Sequence, residues 1–163
     1  QAPLSIPSAS YAGFWRRFAA LCIDGLVLFV PSLCILFFSI LFAVPFSRFA
    51  DGDLPPEKLW QIINSSVNWS CFFNILLRWV YYAVMESSPM QGTLGKKALS
   101  IKVTDMSGNR ISFARASGRH FGNYLSSLFL CFGYFMVAFT DKKQGLHDML
   151  AGCLVVHRDQ PSQ

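Results

Sequence analysis

The residue with the clearest capacity for chemistry is Asp24, an acid at the start of a long apolar run. Gly25 to Ser47 follows it with 23 residues and no charged side chain. As a helix these residues span about 34 Å, and the hydrocarbon core of a bilayer is about 30 Å thick. A carboxylate inside such a segment is costly unless it is paired or hydrated. Asp24 is therefore a candidate site for a cation, a proton or an ion pair.

A small set of charges could act with Asp24. Arg17 lies seven residues earlier, which puts it on the same helix face two turns away. Arg78 is the charge within the second apolar stretch, and an antiparallel pair of helices brings it to the depth of Asp24. We expect Asp24 and Arg78 to pair, with Asp148 approaching the same cytoplasmic mouth. The pair either joins the two helices or forms a cation site. A permanent arginine partner opposes titration of the carboxylate, so the structural role is favoured.

The other residue types that carry chemistry lack the necessary spacing. His147-Asp148 has no further histidine at a ligand spacing, and the cysteines are scattered singly, at positions 22, 34, 71, 131 and 153. Gly92 to Lys96 lacks the GxxxxGK[ST] spacing of a phosphate loop. We therefore expect no enzyme, no cofactor and no metal site.

The composition predicts an all-α membrane protein. Of the 163 residues, 53% are hydrophobic, which exceeds what a soluble domain of this size can cover with its own polar surface. The net charge of +5 suits cytoplasmic loops of a membrane protein, so we expect no nucleic-acid partner.

The elements follow from the apolar runs. An extended segment (1–10) precedes one membrane domain (11–156), and a tail (157–163) ends the chain. Within the domain we predict two transmembrane helices, a basic loop and a third apolar segment: helix one over 14–46, helix two over 59–85, the loop over 86–120, the apolar segment over 121–140 and a C-terminal motif over 141–156.

The basic loop differs in periodicity from the helices. Leu99 to Thr104 alternates apolar and polar residues, a turn follows, and Ile111 to Phe113 alternates again, which predicts a small cytoplasmic β-hairpin. Cys153 to Val156 could supply a third strand. In that case the apolar segment 121–140 must return to the side it left, with Gly133 as a break. Re-entry is favoured over a single crossing.

The same loop predicts contact with anionic lipid headgroups. It holds six basic residues against two acids: Lys96, Lys97, Lys102, Arg110, Arg115 and Arg119. Arg16 and Arg17 flank helix one in the same way. Both flanks therefore belong in the cytoplasm, with the N-terminus.

Three motifs in order resemble the RDD family of membrane proteins. They are Tyr11–Asp24 (YAGFWRRFAALCID), Gly92–Asp105 (GTLGKKALSIKVTD) and Gln144–Val156 (QGLHDMLAGCLVV). The family is named for an arginine and two aspartates. The resemblance places these at Arg17, with Arg16 as the neighbouring possibility, and at Asp24 and Asp148. It also implies a bacterial inner membrane and suggests transport, since some relatives are described as sodium/proton antiporters.

Two functions remain open at this stage. The first is a non-enzymatic accessory or scaffold subunit of a membrane complex. The second is a transporter of a small cation or solute past Asp24, working as a homo-oligomer. The small size and the scarcity of intramembrane charges favour the first. We expect either a homo-oligomer or a partner membrane protein.

Overall fold

The computed structural model describes residues 11–51, 55–128, 140 and 143–158. Five helices and two strands occur in these residues. In chain order they are α1 (Phe14–Asp51), α2 (Pro56–Ser87), α3 (Leu94–Ala98), β1 (Ile101–Asp105), α4 (Phe113–Leu128), α5 (Leu146–Ala151) and β2 (Cys153–His157). The mostly helical architecture predicted from composition is confirmed.

The apolar run after Asp24 forms a long helix, as predicted. Phe14–Val44 of α1 has 31 residues and, within the described part of the chain, is the one helix long and apolar enough to cross a membrane. Only 6% of its most apolar stretch is buried inside the protein. Its side chains therefore face outward, as those of a helix surrounded by lipid would. α2 covers the predicted range 59–85 but does not reach the same apolarity, so a second crossing stays a prediction.

The chain divides into two compact units. The first, called here the sheet unit, comprises Gln1–Asp24 and Trp79–Gln163, and the second, called the helical unit, is Gly25–Arg78. Within the helical unit, the hydroxyl oxygens of Ser39 and Ser70 lie 2.7 Å apart, and Ser39 also donates to the carbonyl of Ser66 at 3.3 Å. Interhelical hydrogen bonds of this kind join α1 to α2 in that unit.

The sheet unit is built on two antiparallel strands. β1 pairs with β2 so that Val103 lies opposite Val155 and Asp105 opposite Cys153. The segment before α1 pairs with β2, because the amide of Ala12 donates to the carbonyl of Val155 at 2.8 Å. The apolar positions of both strands are buried in the core of the unit, together with Ala116 of α4.

The hairpin predicted between 99–104 and 111–113 is wrong. Only its first half is a strand, and the second half leads into α4, which begins at Phe113. Ser112 favours the helix, since its carbonyl accepts from the amide of Ala116 at 2.9 Å and its hydroxyl accepts from the amide of Arg115 at 3.3 Å. The strand partner comes from the C-terminal apolar run instead.

The helix that contains the start of the third apolar segment begins before the predicted segment does. α4 starts at Phe113, inside the predicted basic loop, and extends to Leu128. Residues 129–139 lie outside the described residues, and the predicted break at Gly133 falls among them. The path of the segment therefore stays a prediction.

Candidate functional site

Asp24 is the first of three buried carboxylates in the sheet unit. It is fully buried, and its oxygens accept three hydrogen bonds: from the Tyr81 hydroxyl at 2.8 Å, the Thr93 hydroxyl at 2.5 Å and the Gly95 amide at 2.8 Å. These donors belong to α2, to the residue before α3 and to α3. The carboxylate of one α1 residue thus joins three helices.

The start of α3 is shaped to receive this carboxylate. Thr93 is its N-cap residue, with its hydroxyl also accepting from the amide of Lys96 at 3.4 Å. A Cβ atom on Gly95 would lie 2.2 Å from the carbonyl oxygen of Ala20 and 3.0 Å from Cγ of Asp24. Because only glycine permits this approach, the backbone of α3 packs directly on α1.

Asp148 is the second buried carboxylate, and two arginines bind it. Arg17 of α1 donates to Oδ2, and Nε of Arg119 on α4 donates to Oδ1 at 2.7 Å. The amide of Gly145 reaches Oδ2 at 3.3 Å, so Asp148 also caps the start of its own helix, α5. Arg17 is held further by the carbonyls of Ala12 at 3.0 Å and Lys143 at 2.6 Å.

Glu86, near the end of α2, is the third buried carboxylate. Arg119 donates to its Oε1 at 2.6 Å, and the ammonium group of Lys96 donates to the same oxygen. Arg119 therefore bridges Glu86 and Asp148. The result is one chain of alternating charges, called here the ion network: Lys96, Glu86, Arg119, Asp148 and Arg17.

The charges of the network set each other's ionisation. Burial alone would raise the pKa of Glu86, but the charges of Arg119 and Lys96 outweigh it and lower that pKa to about 2. Against the same effect of burial, Arg119 and Arg17 hold the pKa of Asp148 well below its usual range. The pKa of Arg119 is raised, because its two carboxylates outweigh the cost of burial. Both acids are therefore ionised at neutral pH.

For two basic groups, His147 beside the network and Lys96 at its end, the cost of burial prevails. Burial lowers the pKa of His147 to about 4, although Asp148 lies 3.5 Å from its Nε2, and the ring is neutral at pH 7. Burial and the charge of Arg119 also lower the pKa of Lys96, against the attraction of Glu86. A nearby counter-charge therefore decides the ionisation of a buried group only where its attraction outweighs the cost of burial.

This arrangement of buried charges is suited to holding the helices of the sheet unit in place. Each carboxylate of the network contacts two cations, and Asp24 contacts three donors. Among the described residues, no group of three or more histidine, cysteine or acidic side chains is placed to hold a metal ion. The network joins α1, α2, α3, α4 and α5 through side chains alone.

The structure brings some of the predicted site residues together. Arg17 and Asp148 touch, and Asp24 lies in the same unit with its own donors. Arg16 is exposed and shares a hydrogen bond with Nδ1 of His157 at 2.9 Å, so Arg17 is the arginine of the network. Arg78 falls in the helical unit, and its pairing with Asp24 stays a prediction.

The predicted lipid-facing loop needs correction at two positions. Lys96 and Arg119 are each 5% exposed and belong to the ion network, because each binds the carboxylate of Glu86. Lys97, Arg110 and Arg115 are exposed, and Lys102 is half-buried.

Sequence reasoning missed Glu86, Tyr81 and Thr93. Glu86 and Asp105 are the two acids of the predicted loop against six basic residues, which is a signal of pairing. Nothing in the sequence indicates which of the six would reach Glu86. Nothing in the sequence links Tyr81 or Thr93 to Asp24 either, because their bonds to it arise from tertiary contacts.

Comparisons with known proteins identify the family of this chain. The family model described as the RDD family matches residues 11–152, which include Arg17, Asp24 and Asp148. "Uncharacterized protein YxaI" of Bacillus subtilis (strain 168) is 36% identical over 154 residues, covering 90% of this chain and 97% of that protein. "Uncharacterized membrane protein YteJ" of the same organism is 32% identical over 151 residues, covering 91% and 82%. No solved structure matches significantly. This chain belongs to the RDD family of membrane proteins.

Proposed function

We propose that the protein is a non-enzymatic accessory or scaffold subunit of a membrane complex. The observation that carries this proposal is the closed ion network. Its acids are buried and already bound by cations, with Asp148 0% and Glu86 2% exposed. Charges bound in this way hold elements in place, and neither acid of the network is free to act on a substrate. In contrast, the apolar surface of α1 is open to lipid or to another membrane protein.

The proposed topology places α1 and α2 across the membrane with the N-terminus in the cytoplasm of a bacterium. β1 follows α2 in the chain, and β2 follows the third apolar segment, yet the two strands pair. A single crossing between them would place the strands on opposite sides of the membrane. The pairing therefore supports a third segment, 121–140, that returns to the side it left.

One observation favours transport of a small cation or solute as a second candidate. The sequence argument against it was that an arginine partner opposes titration of Asp24. The donors that the structure gives to Asp24 are all uncharged: a tyrosine, a threonine and a backbone amide. Transport would still require this fully buried carboxylate to exchange its donors for a cation.

The discriminating experiment measures assembly and flux on the same variants. The full chain is extracted gently from its own membrane, and the mass and components of the assembly are determined. Asp24→Asn is compared with Asp105→Asn, a matched acid of the same unit whose carboxylate accepts from the amides of Ser107 and Asn109. We expect a second polypeptide in fixed stoichiometry, and a lower yield of the assembly for Asp24→Asn alone.

The opposite result would establish transport. It consists of a homo-oligomer with only lipid bound, together with cation flux in proteoliposomes that Asp24→Asn abolishes at unchanged yield. Asp105→Asn should leave both the flux and the yield as they are.

A further inference from the structure

α4 buries an arginine and a histidine and exposes aromatic side chains. Its buried side carries Arg119 and His120, which are 5% and 7% exposed. Its exposed side carries three aromatic rings, with Phe113 46%, Phe121 53% and Tyr124 45% exposed. A surface helix in water places its apolar stripe towards the core and its charges outward. The ion network draws Arg119 inward. Among the described residues, the ring contacts of the aromatic stripe formed by these three side chains are with Trp79 and His120.

Two of those contacts join the stripe to Trp79 of α2. The ring of Trp79 lies 6.1 Å from that of Phe113 and 6.0 Å from that of Phe121, and its Nε1 donates to the hydroxyl of Ser117 at 3.1 Å. Trp79 follows the uncharged part of α2. Tryptophan at such a position is typical of the membrane–water interface. The stripe of α4 therefore adjoins a residue of the type that is typical of headgroup depth.

The charge of the surrounding surface suits an anionic bilayer. The sheet unit has four described acids, of which Asp24, Glu86 and Asp148 are buried and Asp105 is half-buried. Its exposed cations remain, namely Arg16, Lys97, Arg110, Arg115 and Lys143. Arg115 lies on α4 itself with 46% of its side chain exposed, and its nearest acid is Asp105 at 4.0 Å. The described surface of the unit is thus cationic, and one of its cations lies on the same helix as the aromatic stripe.

We infer that α4 lies in the surface of an anionic bilayer. Phe113, Phe121 and Tyr124 occupy the boundary between headgroups and acyl chains, and Arg115 reaches the lipid phosphates. Aromatic rings with one polar edge and long basic side chains are the residues that interfacial helices use for this purpose. The inference holds for a scaffold and for a transporter alike, because it concerns how the sheet unit meets lipid.

Spin-label accessibility in nanodiscs tests the depth of α4. The five cysteines of the full chain are replaced by serine or alanine, and one label is placed at Phe121→Cys or, in a second variant, at Tyr124→Cys. The matched control is Ser107→Cys, an exposed residue of the turn after β1 in the same unit. We expect oxygen to collide with the label at 121 and at 124 more often than a water-soluble nickel chelate does. At 107 the order should be reversed.

Two outcomes would overturn the inference. Collision mainly with the nickel chelate at 121 and 124 would place the stripe in water. Low collision with both agents would show that another protein or a second copy of this chain covers it. Using two label positions guards against a variant that fails to fold, and the circular dichroism spectrum confirms the fold of each.

The requirement for anionic lipid is tested separately with Arg115→Gln. The label at 124 is measured in phosphatidylcholine nanodiscs with and without phosphatidylglycerol. We expect phosphatidylglycerol to raise the ratio of oxygen to nickel collisions, and Arg115→Gln to reduce that rise. An equal ratio in both lipids, unchanged by Arg115→Gln, would refute the role of lipid charge.

Discussion

Replacing Arg119 by methionine should destabilise the protein more than any exposed charge can. Methionine keeps most of the apolar stem and removes the guanidinium group that bridges Glu86 and Asp148. Removing one partner of a buried ion pair costs about 3–5 kcal/mol, because the other charge stays buried. Asp148 retains Arg17 and Glu86 retains Lys96, so we expect the lower end, about 3 kcal/mol or about 150-fold in the unfolding equilibrium.

α4 supplies a matched control four residues earlier. Arg115→Met removes the same group from the same helix, but that side chain is 46% exposed and its nearest carboxylate lies at 4.0 Å. An exposed pair contributes about 0–1 kcal/mol. Both variants are unfolded by titration with dodecyl sulfate in neutral detergent micelles, and helix content is followed by circular dichroism. The measured quantity is the difference in the free energy of unfolding from the wild type.

The same titration also measures the coupling between Arg119 and Glu86. Arg119→Met leaves Glu86 buried with Lys96 as its one remaining counter-charge in the network. Glu86→Gln removes that charge. The double variant should therefore lose less stability than the sum of the losses of the two single variants. Equal losses for Arg119→Met and Arg115→Met would show that the network contributes no more than a surface pair. Strict additivity in the double variant would show that Arg119 and Glu86 are not coupled.

Three further predictions use the same unfolding measurement. Gly95→Ala should cost about 1–3 kcal/mol or more through overpacking, since its Cβ would lie 2.2 Å from the carbonyl oxygen of Ala20. Gly118→Ala in α4, where nothing lies within 4 Å of the new Cβ, should instead gain about 0.5–1 kcal/mol. Stability should fall as the pH drops from 6.5 to about 4, because burial lowers the pKa of His147 over that range and the unfolded chain takes up the proton first. His147→Gln should remove that fall, and a retained slope would assign it to another group. A further fall is expected between pH 4.5 and about 2, where the pKa of Glu86 is lowered by Arg119 and Lys96 against the effect of burial. The stability that ionised Glu86 contributes above pH 4.5 is lost in this window, so a Glu86→Gln curve as steep as the wild-type curve would contradict the assignment.

Local patterns in the sequence predicted the elements that depend on nearest neighbours. The uncharged run after Asp24 predicts a long apolar helix, because length and apolarity are properties of the segment alone. Alternation over Leu99 to Thr104 likewise predicts β1, although the strand begins two residues later, at Ile101. The same reasoning failed at Ile111 to Phe113, where alternation over three residues competed with the helix start at Ser112. A pattern that short does not distinguish a strand from the first turn of a helix.

The composition and motifs of this sequence were sufficient to determine a membrane protein of the RDD family and to single out Arg17, Asp24 and Asp148. Only the tertiary structure decided which acids and which basic residues form ion pairs. Lys96 and Arg119 look like surface cations in the sequence, yet they are buried against Glu86 from another helix. The physical reason is that the environment of a charge depends on contacts distant in the chain. Burial makes an unpaired charge so costly that each buried acid must find cations or hydrogen-bond donors wherever the fold brings them.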